Sequence, residues 1–424
     1  MITSTKTPSV PPEHRKISPW TWIGVGLWVV VLVLGLQGFY ERMLHGSLIT
    51  DLGGWMPWGL WVAAYMWFIG LSAGAFLLST LVYVFGMKSL ERVAPLSLLV
   101  ALVTLLMAML LILFDVGHMG RIFEIWYRGN PHSMMAWMGW LYTVYFLLLV
   151  VETYFALHNA LIAARGHVGL SGRVARLLTG QRRTLLSESE QHRERHITTV
   201  LGAIGIPLAF AFHGGVGALL ATVAARDVWH TGLYPILFIV GAFFSGGALF
   251  TALIAFFWPV RDKEWMLTVR TLGRILLGLL LFSALLDWAD YQVPLWYGVG
   301  PEVRELSQVL TGPFWWVFWL VTVGGVYLIP AVLLIAKPKS PWAIGMAGVL
   351  SSVLFLAVRV NLVVPGLATP ELPNLPSSYH DGRLLFHYVP TWAEWELVLF
   401  VVAVGVVLYW VGIKLLPVWG RDVK

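Results

Sequence analysis

Residues 96–114, LSLLVALVTLLMAMLLILF, contain no charged side chain and run directly into Asp115. A helix that crosses the hydrocarbon core of a membrane needs about 20 consecutive, mostly apolar residues. The stretch therefore predicts a transmembrane helix that carries a carboxyl group at one end. Because a carboxylate is costly in hydrocarbon, Asp115 requires a partner, water or a function.

Runs of this kind recur along the whole chain. The 424 residues are 58% hydrophobic and 12% charged, whereas a soluble domain carries about 25% charged residues. We predict an all-α integral membrane protein that lies in the lipid bilayer and does not bind nucleic acid. The ten predicted spans cover residues 20–39, 57–87, 95–117, 136–164, 196–223, 232–258, 267–288, 312–336, 342–364 and 392–416.

The charges of the loops orient these spans. The loops on one side, together with both termini, hold 20 Lys and Arg residues, and the opposite loops hold six. The positive-inside rule places the richer set in the cytoplasm. We expect a multi-pass protein of the prokaryotic cytoplasmic (inner) membrane with both termini cytoplasmic. The first apolar run is too long for a signal peptide, so we interpret it as a retained span.

The two halves of the chain share a pattern. The segment SAGAFLL at 72–78 resembles SGGALFT at 245–251, and each is followed, 43 or 42 residues after its Ser, by the Asp that ends a span. We predict two parallel-repeat four-helix bundles, spans 2–5 and spans 6–9, with spans 1 and 10 outside them. The resulting segments are a cytoplasmic tail (1–19), the first span and its outer loop (20–56), the first bundle (57–223), the second bundle (224–364), an outer loop (365–391), and the last span with its cytoplasmic tail (392–424).

Polar residues interrupt the apolar runs mainly near the outer face. Asp115 and His118 follow span 3, His213 lies in the outer half of span 5, and Arg359 and Asn361 lie near the outer end of span 9. A quinone needs a hydrogen-bond donor at each carbonyl oxygen, and a quinol loses two protons on oxidation. We predict that these five residues bind a quinone headgroup, which we expect in the first bundle.

A second polar set continues toward the cytoplasm. Glu152 lies near the middle of span 4, and Tyr154, His158 and Asn159 follow it. An unpaired carboxylate at that depth is expensive. We therefore predict that Glu152, Tyr154 and His158, with Asp287 at the outer end of span 7, form a proton pathway. The alternative is a neutral Glu152 that only hydrogen-bonds a neighbouring helix.

Three motifs together resemble a known family. GLSAGAFLLS at 70–79, DVGHMGR at 115–121 and NPHSMMAW at 130–137 resemble the signature of the NrfD/PsrC family of polysulfide reductase membrane subunits. The ten-span length, with His213 in span 5 and an Arg-Val-Asn segment in span 9, is similar to the larger branch of that family. That branch includes the membrane subunits of hydrogenase-2, of the sulfite-reduction-associated complex and of alternative complex III.

The resemblance implies a quinone-reactive subunit of a respiratory oxidoreductase complex, with menaquinone or ubiquinone as substrate and no metal or covalent cofactor in this chain. It also implies a ferredoxin-like iron–sulfur subunit on the outer (periplasmic) face and a catalytic or cytochrome subunit beyond it. The chain contains no cysteine, so it supplies no thiolate ligand for a cluster of its own. We expect the partner to dock on outer loops 118–135 and 289–311.

Two other functions fit parts of the pattern. A b-type cytochrome, with haem b held by paired histidines, would require two of His118, His158 and His213 to face each other, and His158 lies at the opposite depth. A secondary transporter often has inverted repeats and a site at the membrane midplane. Here the repeat is parallel and the polar groups lie off centre, so we favour the quinone-reactive subunit.

Overall fold

A computed structural model describes residues 19–180, 182, 184–372, 374–379, 381–382 and 384–419. The predicted N-terminal tail and the last residues of the C-terminal tail lie outside these ranges, as do Arg183 and Arg383, which contributed to the loop charges. All regular elements in the described ranges are helical, and ten of the helical segments are long and apolar enough to cross a membrane. The prediction of an all-α fold with ten spans is confirmed.

Each span is joined to the next by a short helix or a turn. In chain order the elements are α1 (Pro19–His45), α2 (Leu60–Tyr83), α3 (Ala94–Asp115), α4 (Glu124–Arg128), α5 (Met134–Ala164), α6 (Leu170–Thr179), α7 (Glu188–Ala221), α8 (Tyr234–Phe257), α9 (Lys263–Tyr297), α10 (Pro301–Leu310), a π-helix (Val317–Leu328) continued by α11 (Ile329–Ala336), α12 (Pro341–Val353), α13 (Phe355–Ala368), α14 (Leu375–Ser378) and α15 (Trp392–Leu415). Short 3₁₀ turns cover Gly46–Ile49, Lys88–Leu90 and Met119–Arg121. We name the two sides of the membrane region after Asp115, at the end of α3, and Glu194, near the start of α7.

Helices α7 and α9 extend furthest beyond the spans that the hydropathy predicts. Helix α7 begins at a capping box, in which Ser187 and Glu190 each accept a hydrogen bond from the other's backbone N–H. Helix α9 continues past Asp287 to Tyr297 and ends at Gly298, whose φ of +67° is a left-handed conformation favoured by glycine. Asp287 therefore lies inside a helix, not at its end, and the predicted loop 289–311 is largely helical.

Helix α2 lies at the centre of the molecule and packs against α3, α7, α8 and α13. A Cβ at Gly74 would lie 2.2 Å from the Ala242 carbonyl oxygen, and one at Gly246 would lie 2.6 Å from the Gly74 Cα. Small residues thus let the backbones of α2 and α8 approach closely. The two similar segments found in the sequence contact each other at this crossing. The assignment of two four-helix bundles and of the segment boundaries stays a prediction.

The π-helix is an element that the hydropathy of residues 312–336 does not predict. π-Helices usually form single turns and occur frequently at functional sites, whereas this one spans 12 residues. Pro330 follows it and has no backbone N–H to donate to the preceding turn. The Val326 carbonyl oxygen instead accepts a hydrogen bond from Ser351 Oγ at 3.0 Å. A hydroxyl of α12 thus satisfies a carbonyl at the end of the π-helix.

Candidate functional site

A cavity of about 420 Å³ opens between α8, α9, α10, the π-helix and α13, on the Asp115 side of the membrane region. Small-molecule sites usually have volumes of about 300–1,000 Å³ and mostly apolar walls with a few polar groups. This cavity follows that pattern, because leucine, valine and aromatic side chains form most of its wall. Its polar lining includes Ser283, Asp287, Asp290, Glu305, Thr322, Tyr327, Arg359 and Asn361.

Arg359 presents hydrogen-bond donors to this cavity. Its side chain is 3% exposed, and its Nε and Nη2 atoms have no hydrogen-bond partner among the described residues. The guanidinium stacks on Phe238, with Cζ 4.1 Å from the ring centroid, and also lies 5.1 Å from the centroid of Phe355. Gly241 of α8 makes room for it, since a Cβ there would lie 3.0 Å from Arg359 Nη2. The aromatic faces favour the cation but leave these N–H groups unpaired.

Asp287 faces the same cavity from α9. One of its carboxylate oxygens accepts a short hydrogen bond from the Tyr327 hydroxyl, which also lies 3.2 Å from the Ser283 hydroxyl. The π-helix supplies Tyr327, so the unusual backbone places the tyrosine beside the carboxylate. This linked set of a carboxyl group and two hydroxyl groups is able to accept and pass on a proton.

Asn361 is the third polar residue of the cavity that the sequence singled out. Its Nδ2 donates to Thr322 Oγ1 of the π-helix at 3.2 Å, and its Oδ1 is buried without a partner among the described residues. Arg359 and Asn361 are two residues apart on α13, yet both line the cavity. The structure therefore brings together Arg359, Asn361 and Asp287.

His213 lies next to the cavity without lining it. Its side chain is 1% exposed, and neither ring nitrogen has a partner among the described residues. Its ring centroid lies 6.0 Å from that of Phe238, the ring on which Arg359 stacks. A Cβ at Gly70 would lie 3.8 Å from its Cε1 atom, so a glycine of α2 leaves space for the imidazole. One phenylalanine thus contacts both the histidine of α7 and the arginine of the cavity.

Asp115 and His118 lie elsewhere. Asp115 ends α3 with its Oδ1 atom buried and unpaired among the described residues, and His118 is exposed in the following turn. Buried Arg42 of α1 donates to the carbonyl oxygens of Phe114 at 2.8 Å and Val116 at 3.1 Å. Arg42 thereby satisfies the end of the helix that carries Asp115. Neither Asp115 nor His118 lines the cavity, which lies among spans 6–9 and not within spans 2–5, where we predicted the quinone headgroup.

The residues of the predicted proton pathway on α5 form a separate group. Glu152 is fully buried, and neither carboxylate oxygen has a partner among the described residues. His158 Nδ1 lies 2.6 Å from a carboxylate oxygen of Glu194, and its ring stacks on Tyr154 at 5.0 Å. This group contacts α7 toward the Glu194 side, whereas Asp287 belongs to the cavity.

Sequence analysis missed two acidic residues of the cavity. Asp290 follows Asp287 by three residues on α9, and Glu305 of α10 is 5% exposed with Oε2 unpaired among the described residues. Burial raises the pKa of Glu305 to about 8, although the Arg226 guanidinium acts in the opposite direction. The i, i+3 spacing of Asp287 and Asp290 could have shown that both lie on one helix face. Asp290 was missed because the predicted span ended at residue 288.

The cavity thus offers donors and a proton acceptor in one mostly apolar space. Arg359 has donors for an oxygen of a ligand, and Asp287 with Tyr327 is positioned to exchange a proton. An arrangement of this kind suits an uncharged, lipid-soluble molecule whose oxygen atoms change protonation during a reaction.

The sequence of the chain is similar to those of known membrane subunits. A family profile described as "Polysulphide reductase, NrfD" matches residues 50–371, which include every membrane span except the first and the last. A selenate reductase subunit of Mesobacillus selenatarsenatis is 33% identical over 397 residues, which cover 92% of this chain and 93% of that protein. The Hdr-like menaquinol oxidoreductase integral membrane subunit of Archaeoglobus fulgidus is 27% identical over 416 residues, or 95% of each chain.

A further relative bears on the haem alternative. The probable Ni/Fe-hydrogenase 2 b-type cytochrome subunit of Escherichia coli is 24% identical over 404 residues, covering 92% of this chain and 90% of that protein. A bis-histidine haem needs two imidazoles that face one another. The ring contacts of His213 are with Phe212 and Phe238, and that of His158 is with Tyr154. Neither histidine faces a second one in the part of the chain that the structure describes.

Proposed function

The chain belongs to the NrfD family of membrane subunits, and from this premise we propose that it is the quinone-reactive membrane subunit of a respiratory oxidoreductase complex. It exchanges electrons between a membrane quinone and an iron–sulfur subunit on the outer face. One relative is named a menaquinol oxidoreductase subunit, which supports menaquinone as the substrate. The positive-inside rule supports a prokaryotic inner membrane with both termini in the cytoplasm.

The observation that carries the proposal is the buried Arg359, which lines the cavity and whose Nε and Nη2 atoms have no hydrogen-bond partner among the described residues. An unpaired guanidinium in a membrane protein is costly, so it requires an acceptor in the functional state. A quinone carbonyl oxygen is such an acceptor. The quinone molecule is uncharged, so it is able to enter the cavity from the lipid. The apolar wall, with aromatic rings of Phe238, Phe318 and Trp319, suits the quinone ring and its isoprenoid tail.

Asp287 and Tyr327 serve proton transfer at the second quinone oxygen, the one that Arg359 does not bind. When a quinol is oxidised, its O–H bonds break, two protons pass to bases and two electrons leave. Asp287 is the carboxylate that we assign as the first base, and Tyr327 orients it through their hydrogen bond. The hydrogen bond from Asn361 to Thr322 joins α13 to the π-helix in the cavity wall beside Arg359. His213 supports Phe238 from α7 and belongs to the surroundings of the site.

Electrons must leave this chain, because it has no cysteine to ligate a cluster. The cavity lies on the Asp115 side, which is the outer side in the predicted orientation. A partner cluster near that surface would be close to the quinone. We propose that the partner docks on loop 118–135, which carries His118 and α4, and on the segment 289–311 with α10. Asp115 then lies between this docking surface and the buried part of α3.

A proton connection to the cytoplasm is the finer part of the proposal. Among the described residues, Glu152 has no hydrogen-bond partner, and the hydroxyls of Tyr142 and Tyr145, toward the Asp115 side of the same helix, are likewise buried and unpaired. On the other side, His158 and Glu194 form a close pair that is only 12% exposed. Internal water would link such groups. We propose that protons from the cytoplasm pass along this row of groups, from the His158–Glu194 pair to Glu152 and on to Tyr145 and Tyr142.

The experiment that tests the proposal uses the native complex with its iron–sulfur partner. Menadiol added to the purified complex under anaerobic conditions should reduce the clusters, as followed by electron paramagnetic resonance. A complex from which this chain has been removed should require a chemical reductant such as dithionite. Cluster reduction by menadiol at equal rates with and without this chain would contradict the proposal.

A further inference from the structure

We propose that Asp290 and Glu305 form the route by which protons move between the cavity and the water on the Asp115 side. The inference rests on the proposed quinone chemistry, because only a reaction that releases or takes up protons in the cavity needs such a route. It assigns a role to two carboxyl groups and to α10, the short helix at the mouth of the cavity.

The positions of the carboxyl groups support a route. Asp287 and Asp290 are three residues apart on α9, which places them on one face with an axial rise of about 4.5 Å. Both line the cavity, and Glu305 lines it from α10. Helix α10 lies outside the membrane-spanning segments, between α9 and the π-helix. Together the three carboxyl groups extend from Tyr327, inside the membrane region, to a helix at its surface.

Glu305 has the properties of a proton carrier. It is 5% exposed, and its Oε2 atom has no partner among the described residues. Arg226, whose charge acts on Glu305, is already engaged, since it donates to the Thr369 carbonyl oxygen at 2.9 Å and lies 3.8 Å from Glu371. Because burial raises the pKa of Glu305 to about 8, the carboxyl group gains and loses protons near neutral pH.

Charges of both signs surround these two carboxyl groups. Around Glu305 they are Arg226 and Asp227 before α8, and Glu302 and Arg304 on α10 itself. Asp290 faces Asp287 on its own helix and Glu302 on α10. The neighbouring carboxylates oppose ionisation of Glu305, and the arginines favour it. A proton that arrives at one member of the set therefore favours release from another.

Each proton and electron of the quinol has a destination in this scheme. The quinol gives two electrons to the iron–sulfur subunit and becomes the quinone as its O–H bonds break. Each proton passes to Asp287, then to Asp290 and Glu305, and reaches outer water beside Glu302 and Arg304. In the reverse reaction the same groups bring protons in. The two protons and two electrons of the quinol therefore leave on the same side of the membrane, and a proton that passes the Glu152 group from the other side is additional to them.

The test compares Asp290→Asn and Glu305→Gln in the native complex, with menadiol as substrate. Each variant should lower turnover by about 10-fold or more, which corresponds to a barrier higher by about 1.4 kcal/mol. Binding of a heptyl hydroxyquinoline N-oxide inhibitor should be unchanged. In the wild type, turnover should rise with pH through about 8, where Glu305 becomes an acceptor, and Glu305→Gln should abolish that rise.

The control is Glu264→Gln, which removes the same charge from an exposed residue in the first turn of α9, far along that helix from Asp290 and outside the cavity lining, and should leave turnover unchanged. Formate in the medium should restore turnover to Glu305→Gln by replacing the missing carboxyl group, and Glu305→Asp should keep the pH-dependent rise. Normal turnover and an unchanged pH profile in both variants, with the inhibitor still bound, would overturn the route alone. Failure of the wild-type complex to bind the inhibitor or to oxidise menadiol would instead overturn the proposed function.

Discussion

Replacement of Arg359 by Gln should lower kcat/KM for menadiol by about 10- to 100-fold, because a hydrogen bond from a charged donor contributes about 1.5–3 kcal/mol. The side chain is buried and lines the cavity, and its Nε and Nη2 atoms are unpaired among the described residues. Gln keeps one amide donor but loses the positive charge, which would stabilise the negative charge that develops on a quinone oxygen. Turnover by the intact complex, measured with the clusters as acceptor, gives this ratio.

The matched control is Arg270→Gln. Arg270 is a half-buried arginine near the start of α9, at the end of that helix remote from Asp287, and it does not line the cavity. It should keep wild-type kcat/KM. Arg359→Lys should fall between the two, because it keeps the charge but loses the forked geometry of the guanidinium. Wild-type turnover by Arg359→Gln, in a complex that assembles normally, would remove Arg359 from the site.

If the proposed proton path is correct, replacement of Glu152 by Gln should abolish proton uptake from the Glu194 side in proteoliposomes. An ionised carboxylate without a partner is expensive at this depth, so Glu152 is expected to be neutral at rest and to carry its proton as a relay. Gln has almost the same shape and hydrogen-bonding capacity but cannot carry a proton. Charge movement during menadiol turnover, followed with a voltage-sensitive dye, is the measurement.

Glu188→Gln is the control for that experiment, since Glu188 is an exposed residue in the first turn of α7. It should leave charge movement unchanged. If Glu152→Gln also leaves both turnover and charge movement unchanged, Glu152 is a structural residue. Its side chain would then only fill the space opposite Gly202, where a Cβ would lie 3.5 Å from Oε1.

Hydropathy and charge predicted the ten spans because a membrane helix must bury its own backbone hydrogen bonds and show apolar side chains to lipid. The ends of α7 and α9 were predicted less well. Polar residues extend both helices beyond the apolar run. Helix α7 begins at the cap formed by Ser187, and α9 continues past Asp290. Hydropathy falls where side chains turn from lipid to a cavity or to water, although the helix itself continues.

The sequence singled out individual polar residues but did not predict which of them share a cavity. Depth along a helix follows from the sequence, whereas the direction of a side chain depends on how helices rotate and pack. Arg359, Asn361 and Asp287 share one cavity, while Asp115 ends α3 outside it. The π-helix decides part of this grouping, since it supplies Tyr327 and Thr322 to the cavity. Its residues are mostly apolar and resemble an ordinary span.

Photolabelling of the native complex with an azido-menaquinone tests the central claim, that the quinone headgroup occupies the cavity beside Arg359. Irradiation followed by mass spectrometry should place the label on residues 283–295 of α9, on α10, or on the segment from the π-helix to α13. Excess menadione should compete with the label, and Arg359→Gln should reduce it. Labelling confined to the α3–α5 region around Asp115 and His118, and unaffected by Arg359→Gln, would contradict the claim.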